Sequence, residues 1–197
     1  MAEKDRRQKV PVLCDGVVLL DELTHSDAAA QLAGEDDEHA RRFGWYPRRS
    51  TMKTVESAID EWQSQWSTSG PIRTFAVREA TDRTLVGGCE IRLQSKNLAH
   101  MSYWIFPPYR RRGFASRAVR LATTYAFEKL DIERVDLEVA PDNHASRMVA
   151  RNSGFTEEGV VYQKDDAGDT VHEMLLFSLY RDGNVRDPSI SNAGTES

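Results

Sequence analysis

Ser102-Tyr103-Trp104-Ile105-Phe106-Pro107-Pro108-Tyr109-Arg110-Arg111-Arg112-Gly113-Phe114-Ala115-Ser116 is the stretch on which the fold turns. An extended apolar run ends at two prolines, which donate no backbone hydrogen bond, and a basic turn follows. Beyond the turn Phe114, Ala118, Leu121, Ala122 and Tyr125 recur at helical spacing, which predicts a helix over Phe114–Lys129. Val135, Leu137 and Val139 then alternate with Asp136 and Glu138, which predicts a strand. A strand, helix and strand in that order make the two strands parallel and set the helix N terminus beside their carboxyl ends. A ligand site is expected there.

Upstream, Val17–Leu20 reads as a first strand, Ser26 or Asp27 as the cap of a short helix reaching Leu32, and Gly34–Glu38 as a break. Met52, Val55, Ile59, Trp62 and Trp66 form one face of a helix over Thr51–Trp66. Strands follow at Thr74–Arg78, Leu85–Leu93 and Leu98–Phe106, antiparallel because their connections are too short for helical crossovers. Downstream a helix over Asn143–Asn152 ends at Gly154, and strands near Glu158–Gln163 and Val171–Leu179 complete the order. This is a mixed sheet with helices on its faces, one domain over residues 12–180 between weakly ordered tails at 1–11 and 181–197.

A hydrophobic content of 40% beside a charged content of 29% supports a sizeable core. The net charge of −5 argues against nonspecific nucleic-acid binding, so any anion site has to be local. Cys14 and Cys89 stand far apart outside any CxxC pattern, and the five histidines show no paired ligand spacing, so no metal is expected. The charged start Met1–Val10 and the lack of a long apolar run favour a cytoplasmic protein with no membrane partner.

The basic turn carries the chemistry. Exposed amides and the positive end of a helix dipole hold phosphate oxygens, Gly113 allows close backbone approach, and the arginines add charge-assisted hydrogen bonds. Three adjacent arginines cannot all reach one phosphate, so one or two should face solvent. Neither the Walker A loop nor the GxGxxG turn is present.

Arg110-x-x-Gly113-x-Ala115, followed by Asn143-His144-Ala145-Ser146 and Asn152-Ser153-Gly154-Phe155, resembles the two conserved segments of the GNAT acetyltransferases. Ser102-Tyr103-Trp104-Ile105 and Asn143-x-x-Ser146-x-x-Val149 are most similar to the branch that includes the RimJ and RimL ribosomal-protein N-terminal acetyltransferases, and the resemblance runs over Val17–Leu179. It implies an α/β (α+β) domain: a bent, mixed, mostly antiparallel sheet flanked by helices, with two central strands splayed around the pantetheine arm of acetyl-CoA. By the same resemblance, backbone groups of Trp104, Ile105 and Phe106 pair with that arm. Arg110, Arg111, Arg112, Gly113, Phe114, Ala115 and Ser116 hold the pyrophosphate, Asn143 contacts the cofactor, and coenzyme A is the product. A homodimer is a further expectation of the resemblance. One position departs: many relatives carry a tyrosine seven residues after the asparagine as the acid for the departing thiolate, and here it is Ala150. Ser146 is the nearest substitute.

Direct transfer to an amine needs a base, and Glu90, on a central strand where burial raises a carboxyl, is the first candidate. Glu138 is the second and a water chain the third. Cys89 reads as an apolar strand residue rather than a nucleophile. For the acceptor amine, a peptide N terminus or a small molecule, the acidic run Glu35–Glu38 supplies attraction and Phe43, Trp45 and Tyr46 an apolar lining. The alternatives are a noncatalytic acyl-CoA-binding module and, more remotely, a nucleic-acid site at Arg110–Arg112.

Overall fold

A computed structural model describes residues 9–42, 50–164 and 171–183. Its strands are β1 (Leu13–Cys14), β2 (Val18–Asp21), β3 (Ile72–Glu79), β4 (Leu85–Leu93), β5 (Leu98–Ile105), β6 (Arg134–Val139), β7 (Thr156–Lys164) and β8 (Val171–Tyr180). Its helices are α1 (Ala28–Gly34), α2 (Asp37–Arg42), α3 (Met52–Ser67), α4 (Phe114–Lys129) and α5 (His144–Asn152). The strands form one eight-stranded sheet in the order β1-β2-β3-β4-β5-β6-β8-β7. Its ladders are antiparallel except for β5 with β6, the pair joined by the α4 crossover. The α/β class and the central β-α-β unit stand as expected. The stretch read as a break is partly helical, since Asp37–Arg42 forms α2.

The core lies between α4 and the sheet. Ala118, Val119, Ala122 and Ala126 are fully enclosed against Phe75, Val77, Cys89, Ile91 and Ala99, which the helical and strand periodicities bring face to face. Small residues on α4 let the helix sit close, and three rings fill the remaining space. Trp66 and Tyr125 meet Phe75 edge-on at centroid distances of 5.1 and 5.6 Å. The Trp66 indole donates to the Thr74 carbonyl at 2.8 Å, which fixes α3 to β3.

Two features position the site. Thr51, extended at the N-cap, accepts from the Thr54 amide and starts α3 over the opposite face of the sheet, beside α1. The parallel pairing of β5 with β6 covers only Leu98↔Arg134, Ala99↔Val135 and His100↔Asp136. Past those residues the strands separate, and β6 continues against β8 as far as Val139↔Leu175. Asp136 marks the last rung and departs from the polar face expected of it. It is only 2% exposed because Arg134 and Ser178 donate to its carboxylate. Among the described residues no helix is long and apolar enough to cross a membrane.

Candidate active site

The gap between β5 and β6 has a different chemistry on each side of the sheet. On the α4 side its mouth faces the turn at Arg110–Gly113. Gly113, the N-cap of α4, has φ +81°, a left-handed conformation that glycine adopts at least cost. The first amide to reach back along the helix is Arg117, to the Gly113 carbonyl at 3.2 Å. The amides of Phe114, Ala115 and Ser116 therefore have no acceptor within the helix and converge at its positive end. A Cβ on Gly113 would meet no atom within 4 Å, so the helix end is open at this residue. Ser153 donates to the Ser116 carbonyl at 3.3 Å and ties the first turn of α4 to the end of α5.

The three arginines divide their work. Arg110 turns back: its Nε donates to the Ile105 carbonyl at 2.9 Å and its guanidinium pairs with Asp36 at 2.9 Å. Arg112 pairs with Glu79 at 2.9 Å and stacks 4.8 Å from the Phe114 ring. Arg111, exposed and with φ +61°, makes no ion pair among the described residues. The expectation for Arg110–Arg112 narrows accordingly: two guanidinia already answer half-buried carboxylates, and Arg111 is the one left facing solvent.

Backbone direction narrows a second expectation. The Phe106 amide donates to the Val86 carbonyl, so by the alternation of an antiparallel ladder Trp104 also faces β4. The peptide groups turned towards the gap are those of Met101, Tyr103 and Ile105, and the Ile105 carbonyl is already taken by Arg110. Of Trp104–Phe106, only Ile105 presents its backbone to a ligand in the gap. Asn143, at the N-cap of α5, accepts from the Ser146 amide at 3.1 Å through Oδ1, so that oxygen is engaged in the cap.

On the other face lies a cavity of about 550 Å³. Its floor is Glu90 and Arg92 of β4, His100, Ser102 and Trp104 of β5 and Glu138 of β6. Its roof is Gln31 of α1, Glu35 just beyond that helix, and Thr54, Val55, Ala58 and Trp62 of α3. Trp104 lies flat over β4, where a Cβ on Gly88 would fall 2.1 Å from its ring, and it meets Trp62 at 5.9 Å. The alternation of β5 accounts for the division: Ala99, Met101, Tyr103 and Ile105 pack with α4, while His100, Ser102 and Trp104 face the cavity.

Three carboxylates border this cavity. Glu90, 13% exposed, accepts from Arg92 at 2.8 Å and from the Thr74 hydroxyl at 3.1 Å. Glu138, 15% exposed, accepts from the Gln163 amide, and its other oxygen lies 3.6 Å from His100 Nδ1. Glu35 has a buried Oε2 without a hydrogen bond, and burial pushes its carboxyl above the ordinary value although Ser50 donates to it. Glu90 and Ser146 are not brought together: the first faces the cavity, and the second sits in the first turn of α5. The alternation of β5 carried a signal for His100 and Trp104 as cavity residues, and Trp62 lies on the apolar face that periodicity marks in Thr51–Trp66, whereas nothing local announced Gln31. Phe43, Trp45 and Tyr46 lie outside the described residues. Cys89 is fully enclosed on the α4 side and burial pushes its thiol upwards, as fits an apolar strand residue.

Two differently built faces meet at the split parallel pair, an open helix N terminus on one and an acid-lined cavity on the other. Residues 18–156 match the family model of the acetyltransferase (GNAT) domain, and the chain belongs to that family. It is 25% identical over 173 residues to an uncharacterized N-acetyltransferase, YoaA, of Bacillus subtilis, covering 87% of this chain and 97% of that one. Its fold is that of Mycobacterium smegmatis RimJ in complex with CoA-disulfide (TM-score 0.72, 22% identity, 90% of each chain). It is equally that of spermidine N-acetyltransferase from Vibrio cholerae in complex with CoA and spermine (TM-score 0.71, 18% identity, 86% of this chain and 98% of that one).

Proposed function

We propose that this acetyltransferase moves the acetyl group of acetyl-CoA directly onto a primary amine seated in the cavity. The observation that carries the reading is the two-sided gap: unpaired helix amides and strand peptide groups on the α4 side, and carboxylates on the other. Acetyl-CoA, a co-substrate consumed in the reaction, fits the first side. The amides of Phe114–Ser116 and Arg111 would hold its pyrophosphate, and the gap-facing peptide groups of Tyr103 and Ile105 its pantetheine arm. It supplies the activated carbonyl; everything else falls to residues of this chain.

An amine arrives protonated and has to lose its proton before it attacks. Glu138 is the better-placed base, because it stands on β6 just past the last β5–β6 rung, where the gap opens. Glu90, with both oxygens engaged by Arg92 and Thr74, is placed to bind the cationic acceptor rather than to accept its proton. Glu35 adds negative potential at the roof, and Trp62 and Trp104 cover the acceptor's apolar part. The acceptor is then an amine with a cationic or polar body, such as a polyamine or a peptide N terminus. The name of one similar protein, a spermidine N-acetyltransferase seen with CoA and spermine, agrees with that class.

Thiol release from acetyl-CoA, measured over N-terminal peptides, amino acids, polyamines and aminoglycosides with coenzyme A binding followed by calorimetry, tests this. Acceptor-dependent release names the substrate class, and binding without release against every amine turns the reading towards a noncatalytic acyl-CoA-binding module. The anion site has its own test. Gly113→Asp sets a negative charge before the helix end and is expected to weaken coenzyme A binding about 10- to 100-fold. Gly113→Ala, strained in the left-handed region but uncharged, should weaken it less. Equal affinity of Gly113→Asp and the parent would remove the pyrophosphate assignment.

A further inference from the structure

The Tyr103 side chain has no part in the reading above, yet it occupies the gap. It lies on the portion of β5 that has parted from β6, three residues beyond the last rung at His100↔Asp136, and its ring packs with the core on the α4 side. Its hydroxyl is buried and makes no hydrogen bond of ordinary geometry. Burial pushes the phenol up to about 12; Ser146 faces it closely enough to offset part of that rise, and Cys89, opposite it on β4, adds to it. Ser146 comes from the other wall of the gap, in the turn of α5 that follows β6 and is capped by Asn143. Two hydroxyls, one from each separated strand or its continuation, thus lie near one another where the strands part. The position from which many relatives project a tyrosine is here the fully buried Ala150.

We propose that the Tyr103 hydroxyl, facing Ser146 across the split, donates a hydrogen bond to the sulfur of the departing coenzyme A. This rests on the acetyl-CoA reading. The acceptor nitrogen, approaching from the cavity face, bonds to the carbonyl carbon. The carbon–sulfur bond breaks with its electron pair on sulfur, and the proton shed by nitrogen passes to Glu138 and on to water. A thiol has an ordinary pKa of about 8.5, so the thiolate is too weak a base to take the phenolic proton and is stabilised by hydrogen bonding alone. Its own proton comes from water, and Tyr103 ends the cycle as it began. A buried donor whose nearest hydroxyl, Ser146, does not hold it in a hydrogen bond of ordinary geometry is poised for this, because it gives up little when charge develops on sulfur.

The test uses the full-length protein. Coenzyme A and desulfo-coenzyme A are compared by calorimetry from about pH 6.5 to about pH 9.5, across the ionisation of a free thiol. A donor to the thiolate makes the parent protein prefer coenzyme A increasingly as pH rises, by about 10-fold. Tyr103→Phe should abolish that increase and lower kcat about 10- to 100-fold at unchanged KM for acetyl-CoA, with Ser146→Ala intermediate. The parent protein alone can overturn the proposal: equal, pH-independent binding of both ligands refutes it while leaving the acetyl-CoA site standing. A Tyr103→Phe protein with parental kcat and parental pH dependence refutes it as well. Binding of neither ligand removes the acetyl-CoA reading and this proposal with it.

Discussion

Glu138→Gln is expected to lower kcat for acetyl transfer by about 10²- to 10⁴-fold, the usual contribution of a positioned general base, while leaving coenzyme A affinity unchanged. The substitution keeps the volume and the partnership with Gln163 but removes the basic oxygen that lies 3.6 Å from His100. Glu90→Gln serves as the contrast. Its carboxylate is bound by Arg92 and Thr74, so losing its charge should raise KM for a cationic amine more than it lowers kcat. Steady-state rates at saturating amine separate the two. A Glu138→Gln enzyme with near-parental kcat would move the base elsewhere, and a large kcat loss in Glu90→Gln would name its place.

The parts of this design that were legible in the sequence are those written in short-range pattern. Phe114–Lys129 could be bounded because proline, glycine and a change of period flank it, Leu85–Leu93 because turn-like breaks at Thr81–Arg83 and Ser95–Asn97 do, and the parallel β5–β6 pair followed from the length of its crossover. What the pattern does not contain is how far two strands stay together. The three-rung extent of β5–β6 depends on β8 claiming the far end of β6, a contact between segments about 40 residues apart in the chain. The arginines of the turn illustrate the same limit. Their charge announced an anion site, but Arg110 and Arg112 are held by Asp36 and Glu79, partners that local sequence cannot assign. Asp136 alternates like a surface residue and is buried all the same, because Arg134 and Ser178 meet it inside. Tyr103 read as one letter of a family resemblance, and only the fold sets its buried hydroxyl near Ser146 in the gap.

Arg78→Met is expected to cost about 3–5 kcal/mol of stability, the range for removing one partner of a buried ion pair, and so to lower Tm by roughly 6–20 °C for a domain of this size. Arg78 joins β3 to the segment that leads into α1, the roof of the cavity. Its Nε meets Asp21 at 2.6 Å, its two terminal nitrogens meet both oxygens of Asp27 at 2.9 and 2.8 Å, and its side chain is only 11% exposed. Asp27 also accepts from the Thr24 amide at 2.9 Å, which closes the chain into the helix. Methionine keeps the apolar stem but strands Asp27, whereas Asp21 retains Arg83 at 2.6 Å. Adding Asp27→Asn to Arg78→Met should therefore recover part of the loss, since the buried charge disappears. The acid limb gives an independent reading. Burial alone would raise the Asp27 carboxyl, but the hydrogen bonds from Arg78 and Thr24 outweigh it and hold the pKa below the ordinary 3.8. A carboxyl depressed in the folded state contributes stability that is present above 3.8 and lost as pH falls through its folded value. The deficit of Arg78→Met relative to the parent, followed by urea unfolding from neutral pH downwards, should accordingly shrink below about pH 4. A deficit that stays constant through that range would assign the loss to packing rather than to the ion pair.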